Sequence, residues 1–240
     1  MISVQKPVRV FRHTNCSNRG HLCHFLEKHE VPYEIACVGC EEGASMAVPA
    51  SLDDVSGLIF MGGPGDVNSS LAWMQKEIEL IQRAVEYGTP VMGVCLGAQM
   101  ISKALGGEVS SDYELEVGWH KVEPVVGSDD HFWFQGLPTP LEVFQWHAHD
   151  FTLPPGAISL LSSRCTPHQA FSLGNILAMQ FHMEITVETV RRLRQQYAGD
   201  MNTASSCVQD ASEMCQNLDA RVEQLHRNAD LIYLKWLQQL

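Results

Sequence analysis

Two short apolar segments, each running into a glycine-containing turn, constrain this chain more than any other feature. Leu58-Ile59-Phe60-Met61 ends at Gly62-Gly63-Pro64-Gly65, and Pro90 to Val94 leads directly into Cys95-Leu96-Gly97-Ala98-Gln99. A strand covered on both faces reads as an unbroken apolar run, and such strands belong to the interior of parallel sheets. Helical patterns separate them. Pro7 to Phe11 predicts a strand, Gly20 to His29 a helix and Tyr33 to Val38 a second strand. Asp66, Asn68 and Ser69 offer N-cap chemistry for a helix from Leu71 to Tyr87, which Gly88 stops. Leu96 to Leu105 predicts the next helix, closed by Gly106-Gly107. Strand and helix alternating through short turns imply right-handed crossovers and a parallel sheet with helices on both faces.

From Glu108 to Ala170 the pattern changes. Short alternating segments such as His120 to Val122 and Leu141 to Phe144 lie between proline and glycine turns, predicting antiparallel or mixed structure appended to the sheet. Ile176 to Phe181 returns to a buried strand and Val187 to Tyr197 to a helix. The last forty or so residues differ again: Leu218, Val222, Leu225, Ala229, Ile232 and Trp236 form a heptad seam. That seam either docks on its own domain or joins a second copy of the chain. The division expected is a main domain over 1–198 and a helical C-terminal extension over 199–240.

Composition excludes several classes. With 28 acidic against 16 basic residues and a formal net charge of −12, the surface repels phosphate backbones, so no nucleic-acid partner is expected. The N-terminal stretch to Pro7 lacks the apolar run of a signal peptide, and no eighteen-residue apolar stretch predicts a membrane span. The expected location is therefore cytoplasmic, and the eight cysteines are read as reduced, without a disulfide framework.

The chemistry concentrates at strand ends. Gly93-Val94-Cys95-Leu96-Gly97 is a G-x-nucleophile-x-G turn, tight enough to lift one side chain off the sheet edge. A thiol there also sits at a helix N-terminus, where unpaired N–H groups favour a thiolate. Gly62-Gly63-Pro64-Gly65-Asp66 ends the neighbouring strand, and its N–H groups could face the same point. Gln180-Phe181-His182-Met183-Glu184 ends a third. His182 and Glu184 are two apart, so in extended backbone both side chains leave one side, and a carboxylate can orient an imidazole whose far nitrogen faces a nucleophile.

These segments resemble the signature of class I, triad-type glutamine amidotransferases, and most closely the stand-alone, GMP-synthase-like subgroup. The likeness runs from Val8-Arg9-Val10-Phe11-Arg12-His13, through Val117-Gly118-Trp119-His120 and Trp146-His147, to about Tyr197. It implies a flavodoxin-like α/β fold, mostly parallel, and a thioester mechanism without cofactor. Cys95 would be the nucleophile, His182 the general base and acid, and Glu184 its orienter. The N–H groups of Gly63 and Leu96 would form the oxyanion hole. Gly65 and Gln99 would hold the amino-acid end of glutamine or a γ-glutamyl compound, with Trp146, His147 and His149 nearby.

Three departures from the family pattern matter. The usual His-Pro-Glu reads His182-Met183-Glu184, and Trp-His-Gly-Asp reads Trp146-His147-Ala148-His149, which puts free glutamine as substrate in question. No pyrophosphatase loop and no G-x-x-x-x-G-K-[ST] loop is present, so ammonia would pass to a separate synthetase or simply be released. A γ-glutamyl peptidase inactive on glutamine, and a catalytically silent small-molecule-binding regulatory module, are the competing readings. Cys37-Val38-Gly39-Cys40 with His21, Cys23 and His24 lacks the second half of a zinc site, and no metal is expected. Trp119 and Trp133, like Trp146, are read as core or pocket-wall residues.

Overall fold

The structure is a computed structural model, and it describes residues 6–14, 19–39, 47–49, 51–111, 114–128 and 131–240. Cys40, and with it the Cys37-x-x-Cys40 motif, lies outside the described residues, as does the N-terminus through residue 5.

The elements in chain order begin with β1 (Val8–Arg12), α1 (Gly20–Lys28), β2 (Tyr33–Cys37), β3 (Gly57–Phe60), α2 (Ala72–Glu86), β4 (Val91–Val94) and α3 (Leu96–Ala104). The strands β5 (Val109–Ser110), β6 (Glu116–Pro124), β7 (Leu141–His147), β8 (Asp150–Phe151), β9 (Ile158–Ser163), β10 (Ala170–Leu173) and β11 (Ile176–Met179) follow. The helices α4 (Val187–Gln196), α5 (Ala211–Cys215) and α6 (Leu218–Leu237) complete the chain.

One sheet runs in the order β2-β1-β3-β4-β11-β10-β9-β6-β7. The first five strands are parallel to one another, whereas β10, β9, β6 and β7 pair antiparallel. The parallel part has the strand order of a flavodoxin-like α/β fold, in which ligand sites gather outside the carboxyl ends of the strands. The antiparallel strands β6, β7 and β9 fall within the stretch where the sequence pattern changes, and β10 begins at its end.

Alternation along the strands divides the interior in two. Val8, Val10, Ile59, Met92 and Val94 point to one face and pack with Leu22, Phe25, Leu26 and Val190 of α1 and α4. Phe11, Leu58, Phe60 and Val91 point to the other, against Met74, Ile78 and Ile81 of α2 and Met100 and Ile101 of α3. The whole heptad seam of α6, from Leu218 to Trp236, is buried within the first of these cores. That face is occupied by the chain's own domain rather than by a second copy.

Two local expectations are corrected. Helix α2 starts at Ala72 after an extended Leu71 without a side-chain cap. Asp66 instead closes a turn, its Oδ1 accepting from the Asn68 N–H at 2.8 Å. The cysteines also pair where none was expected to. Cys165 and Cys207, 42 residues apart in sequence, form a disulfide, and Cys37 is disulfide-bonded as well. The sheet brings the first pair together: β9, which ends just before Cys165, pairs with β6, and Val117 of β6 donates its N–H to the Cys207 carbonyl.

Candidate active site

Glycine dictates the geometry around Cys95. A Cβ added at Gly97 would lie 2.0 Å from the Phe60 carbonyl oxygen, and one at Gly93 would lie 2.7 Å from the Gly97 carbonyl. Only glycine lets β3, β4 and the start of α3 approach this closely. Between them Cys95 adopts φ 52° and ψ −109°, a left-handed conformation that costs a side-chain-bearing residue about 1–3 kcal/mol. The surrounding contacts hold it there: the Cys95 N–H donates to the Met179 carbonyl at 2.8 Å, and its carbonyl accepts from the Gln99 N–H at 3.0 Å. The sulfur is thereby raised at the amino end of α3, in a cavity of about 270 Å³.

His182 arrives from the adjacent strand. Beyond β11 the chain leaves the parallel register, and His182 pairs with Phe144 of β7 in an isolated antiparallel bridge. His182 Nδ1 donates to Glu184 Oε1 at 2.7 Å, and Glu184 Oε2 accepts the Met183 N–H at 3.0 Å. His182 and Cys95 line the same cavity. The predicted trio is thus brought together as the spacing implied, with Met183 buried in the core as the linker.

Charge in this buried corner is tightly coupled. Burial alone would drive His182 toward its neutral form, but the Glu184 carboxylate and then Cys95 outweigh it, holding the imidazole well above its usual 6.5. For Glu184, burial raises the carboxyl, and the charge and hydrogen bond of His182, the Glu184 backbone N–H and Arg12 pull it below its usual value.

The glycine loop completes this wall. A Cβ on Gly62 would stand 2.7 Å from His182 Cε1 and 3.3 Å from Cys95 Cβ, so Gly62 is the surface on which the imidazole rests. Gly63, Gly65 and Leu96 line the same cavity. A Cβ on Gly63 would lie 2.5 Å from His13 Cβ. His13, absent from the predicted site, also bonds the Met61 carbonyl through Nδ1 at 3.0 Å and Glu77 Oε2 through Nε2 at 2.9 Å. No local pattern marks this pair, because its members are 64 residues apart.

The remaining predicted residues divide by what they can still offer. Trp146 walls the cavity, with Nε1 donating to Asp200 Oδ2 at 2.9 Å and its ring tilted toward Tyr197. Its carbonyl oxygen lies 3.9 Å from Cys95 Sγ. Gln99 lines the cavity, yet its amide nitrogen is taken by the His149 carbonyl at 3.0 Å and Gln180 Oε1 at 3.2 Å. His147 is nearly sealed from solvent: Nδ1 meets the His149 carbonyl at 3.1 Å and Nε2 lies 3.2 Å from Glu116 Oε2. These two residues shape the pocket more than they contact its contents. His149 stays at the rim, with Nε2 3.8 Å from Asp66 Oδ1. Trp119 and Trp133 are core residues away from this cavity.

Helices α1 and α6 brace the site from behind. The Glu184 carbonyl accepts the His21 N–H at 2.8 Å, and the next carbonyl, that of Ile185, bonds His226 Nε2 at 2.7 Å. The His21 and His226 rings stack at 3.8 Å, and His21 Nε2 bonds Asp230 at 2.7 Å. Among the described residues no group of three or more His, Cys, Asp or Glu is arranged to hold a metal ion. Nor, among them, is any helix long and apolar enough to cross a membrane.

A sharp thiol turn, a buried histidine–carboxylate pair and a glycine loop at adjoining strand ends can support acyl transfer through a thioester. The family model for glutamine amidotransferase class-I matches residues 15–197. The chain is 32% identical over 158 residues to the glutamine amidotransferase-like protein YfeJ of Salmonella typhimurium, covering 63% of this chain and 66% of that one. It is 33% identical over 132 residues to a glutamine-hydrolysing GMP synthase subunit of Thermococcus kodakarensis, covering 54% and 66%. A solved glutamine amidotransferase from Methylobacillus flagellatus superposes with TM-score 0.88 at 32% identity, covering 99% of this chain and 96% of that one. The chain spans just under two thirds of the first two relatives, and about a quarter of longer GMP synthases that it also matches. With a family model spanning most of its length and the same fold over nearly all of it, the chain belongs to the class I glutamine amidotransferase family.

Proposed function

We propose that this protein cleaves the γ-amide of glutamine or of a γ-glutamyl compound through a thioester on Cys95. The observation that carries the reading is the convergence of the strained Cys95 turn with the 2.7 Å His182–Glu184 bond in one cavity. Cys95 Sγ attacks the γ-carbonyl carbon, and the N–H groups of Gly63 and Leu96 receive the negative charge that develops on oxygen. Donors of that kind are commonly worth about a hundredfold to a thousandfold in rate. His182, held protonated by Glu184, gives its proton to the departing nitrogen as the C–N bond breaks. It then takes a proton from water, whose oxygen attacks the thioester; glutamate leaves, and the free sulfur and the protonated imidazole are restored.

Kinship with one component of a glutamine-hydrolysing GMP synthase supports delivery of the released ammonia to a separate synthetase. Incubation with glutamine and with γ-glutamyl dipeptides, followed by measurement of glutamate, tests the reaction. Release that disappears in Cys95→Ala supports it. No release from any of these compounds, with no labelling of Cys95 by a γ-glutamyl electrophile, would make the protein a binding module instead.

A further inference from the structure

The cavity has two halves, set by strand order. Strand β4, which ends at Cys95, lies between β3 and β11. On the β3 side are the glycine loop, Gln99 and His149. On the β11 side, past His182, α4 contributes Thr189 and Arg192, and Tyr197 follows at its C-cap. An acid that protonates a departing nitrogen must stand beside that nitrogen, so any substituent on it extends past His182 toward α4. Ammonia is about the size of one water, about 30 Å³. A primary amide would thus leave the α4 side of the cavity unused.

Arg192 is the feature of that side that invites a ligand. Arg192 lines the cavity, and its side chain makes no ion pair or hydrogen bond to any described residue. Glu184 is the carboxylate among the lining residues, and it is taken by His182 and by the Met183 N–H. The α4 side therefore offers a planar five-donor cation with no acid of its own, and carboxylates match that fork.

We propose that Arg192 receives a carboxylate carried by the leaving amine, so that γ-glutamyl amides of amino acids are better substrates than the primary amide of glutamine. This rests on the cleavage reading above. The S–C bond forms on Cys95, the C–N bond of the isopeptide breaks, and the proton from His182 leaves on the nitrogen of a free amino acid. Water then releases glutamate from the thioester.

The test compares γ-glutamylglycine with γ-glutamylglycinamide, which differ in one carboxylate, and with glutamine. In the unaltered protein kcat/KM for the glycine compound should exceed that for the glycinamide about 10- to 100-fold, the range of a charge-assisted pair. Arg192→Gln should bring that ratio close to one, and Arg192→Glu should reverse it. A ratio near one in the unaltered protein, or one that Arg192→Gln does not move, overturns the proposal. If none of the three compounds is turned over, the cleavage reading fails separately. Calorimetric binding of the same pair to Cys95→Ala then decides on Arg192: tighter binding of the glycine compound supports the proposal, and equal affinity overturns it.

Discussion

Glu77 of α2 hydrogen-bonds His13 at 2.9 Å, with neither side chain exposed to solvent, directly behind the glycine loop of the candidate site. The other nitrogen of His13 bonds the Met61 carbonyl, so both ring nitrogens are held within the fold. Breaking a buried pair by removing one partner typically costs about 3–5 kcal/mol. Glu77→Ala is therefore expected to lower stability by that order in urea unfolding. Glu77→Gln, which keeps a carbonyl acceptor, should lose about 1 kcal/mol. Equal losses for the two would show that His13 does not depend on Glu77.

Gly62 is the surface against which His182 rests. Gly62→Ala puts a methyl 2.7 Å from His182 Cε1, where the ring must turn away. Displacement of about 1 Å can cost about a hundredfold in rate, so kcat/KM for glutamate release should fall by that order with little change in melting temperature. Undiminished turnover would mean that the imidazole works from some other position.

The pH profile should follow the His182–Glu184 pair. Because His182 is raised, its share of stability is complete below about 6.5 and is lost as pH climbs through the higher folded value. Glu184 is lowered, so its share is present above about 4.5 and is lost as pH falls through the folded value. Activity that needs protonated His182 should fade on the alkaline side. Removing the carboxylate with Glu184→Gln should move that limb toward 6.5. A limb that stays in place would assign it to another group.

These predictions concern residues of unequal visibility. The Cys95 turn was legible because close backbone contact leaves a local mark: nothing larger than glycine fits at 93 and 97. His182 and Glu184 were legible through the two-residue spacing of extended chain, and the α6 seam through its period. The partnership of His13 with Glu77 was not, since burial joins positions distant in sequence and either residue alone looks ordinary. Cys165 and Cys207 were missed for the same reason, the expectation of a reducing compartment having outweighed a pairing that only the sheet creates. Arg192 falls on the predicted α4 helix, but its place in the cavity depends on how that helix packs. The Asp210–Glu213 capping box at the start of α5 is a local signal written in the spacing of those two residues.

Asp150 offers a test away from the triad. Burial pushes its carboxyl up to about 7, with the backbone N–H of Phe151 and the charge of His147 recovering only part of the loss. The folded state therefore keeps a proton that the unfolded chain releases near 3.8, and stability should fall as pH rises between those values. That span corresponds to roughly 4 kcal/mol as an upper bound. After local relaxation, Asp150→Asn should gain about 1–2 kcal/mol at pH 8 and much less at pH 4. Thermal melts at the two pH values compare them, and a gain independent of pH would rule out charge as the cause.

The seam that could have joined two chains instead turns α6 into a splint. Through His226 it grips the carbonyl of Ile185, one residue beyond the acid that steers His182. Displacing α6 would release that carbonyl, so a helix remote from the sulfur has a mechanical say over the acid that orients His182. A His226→Ala protein with unaltered turnover would break that chain of cause.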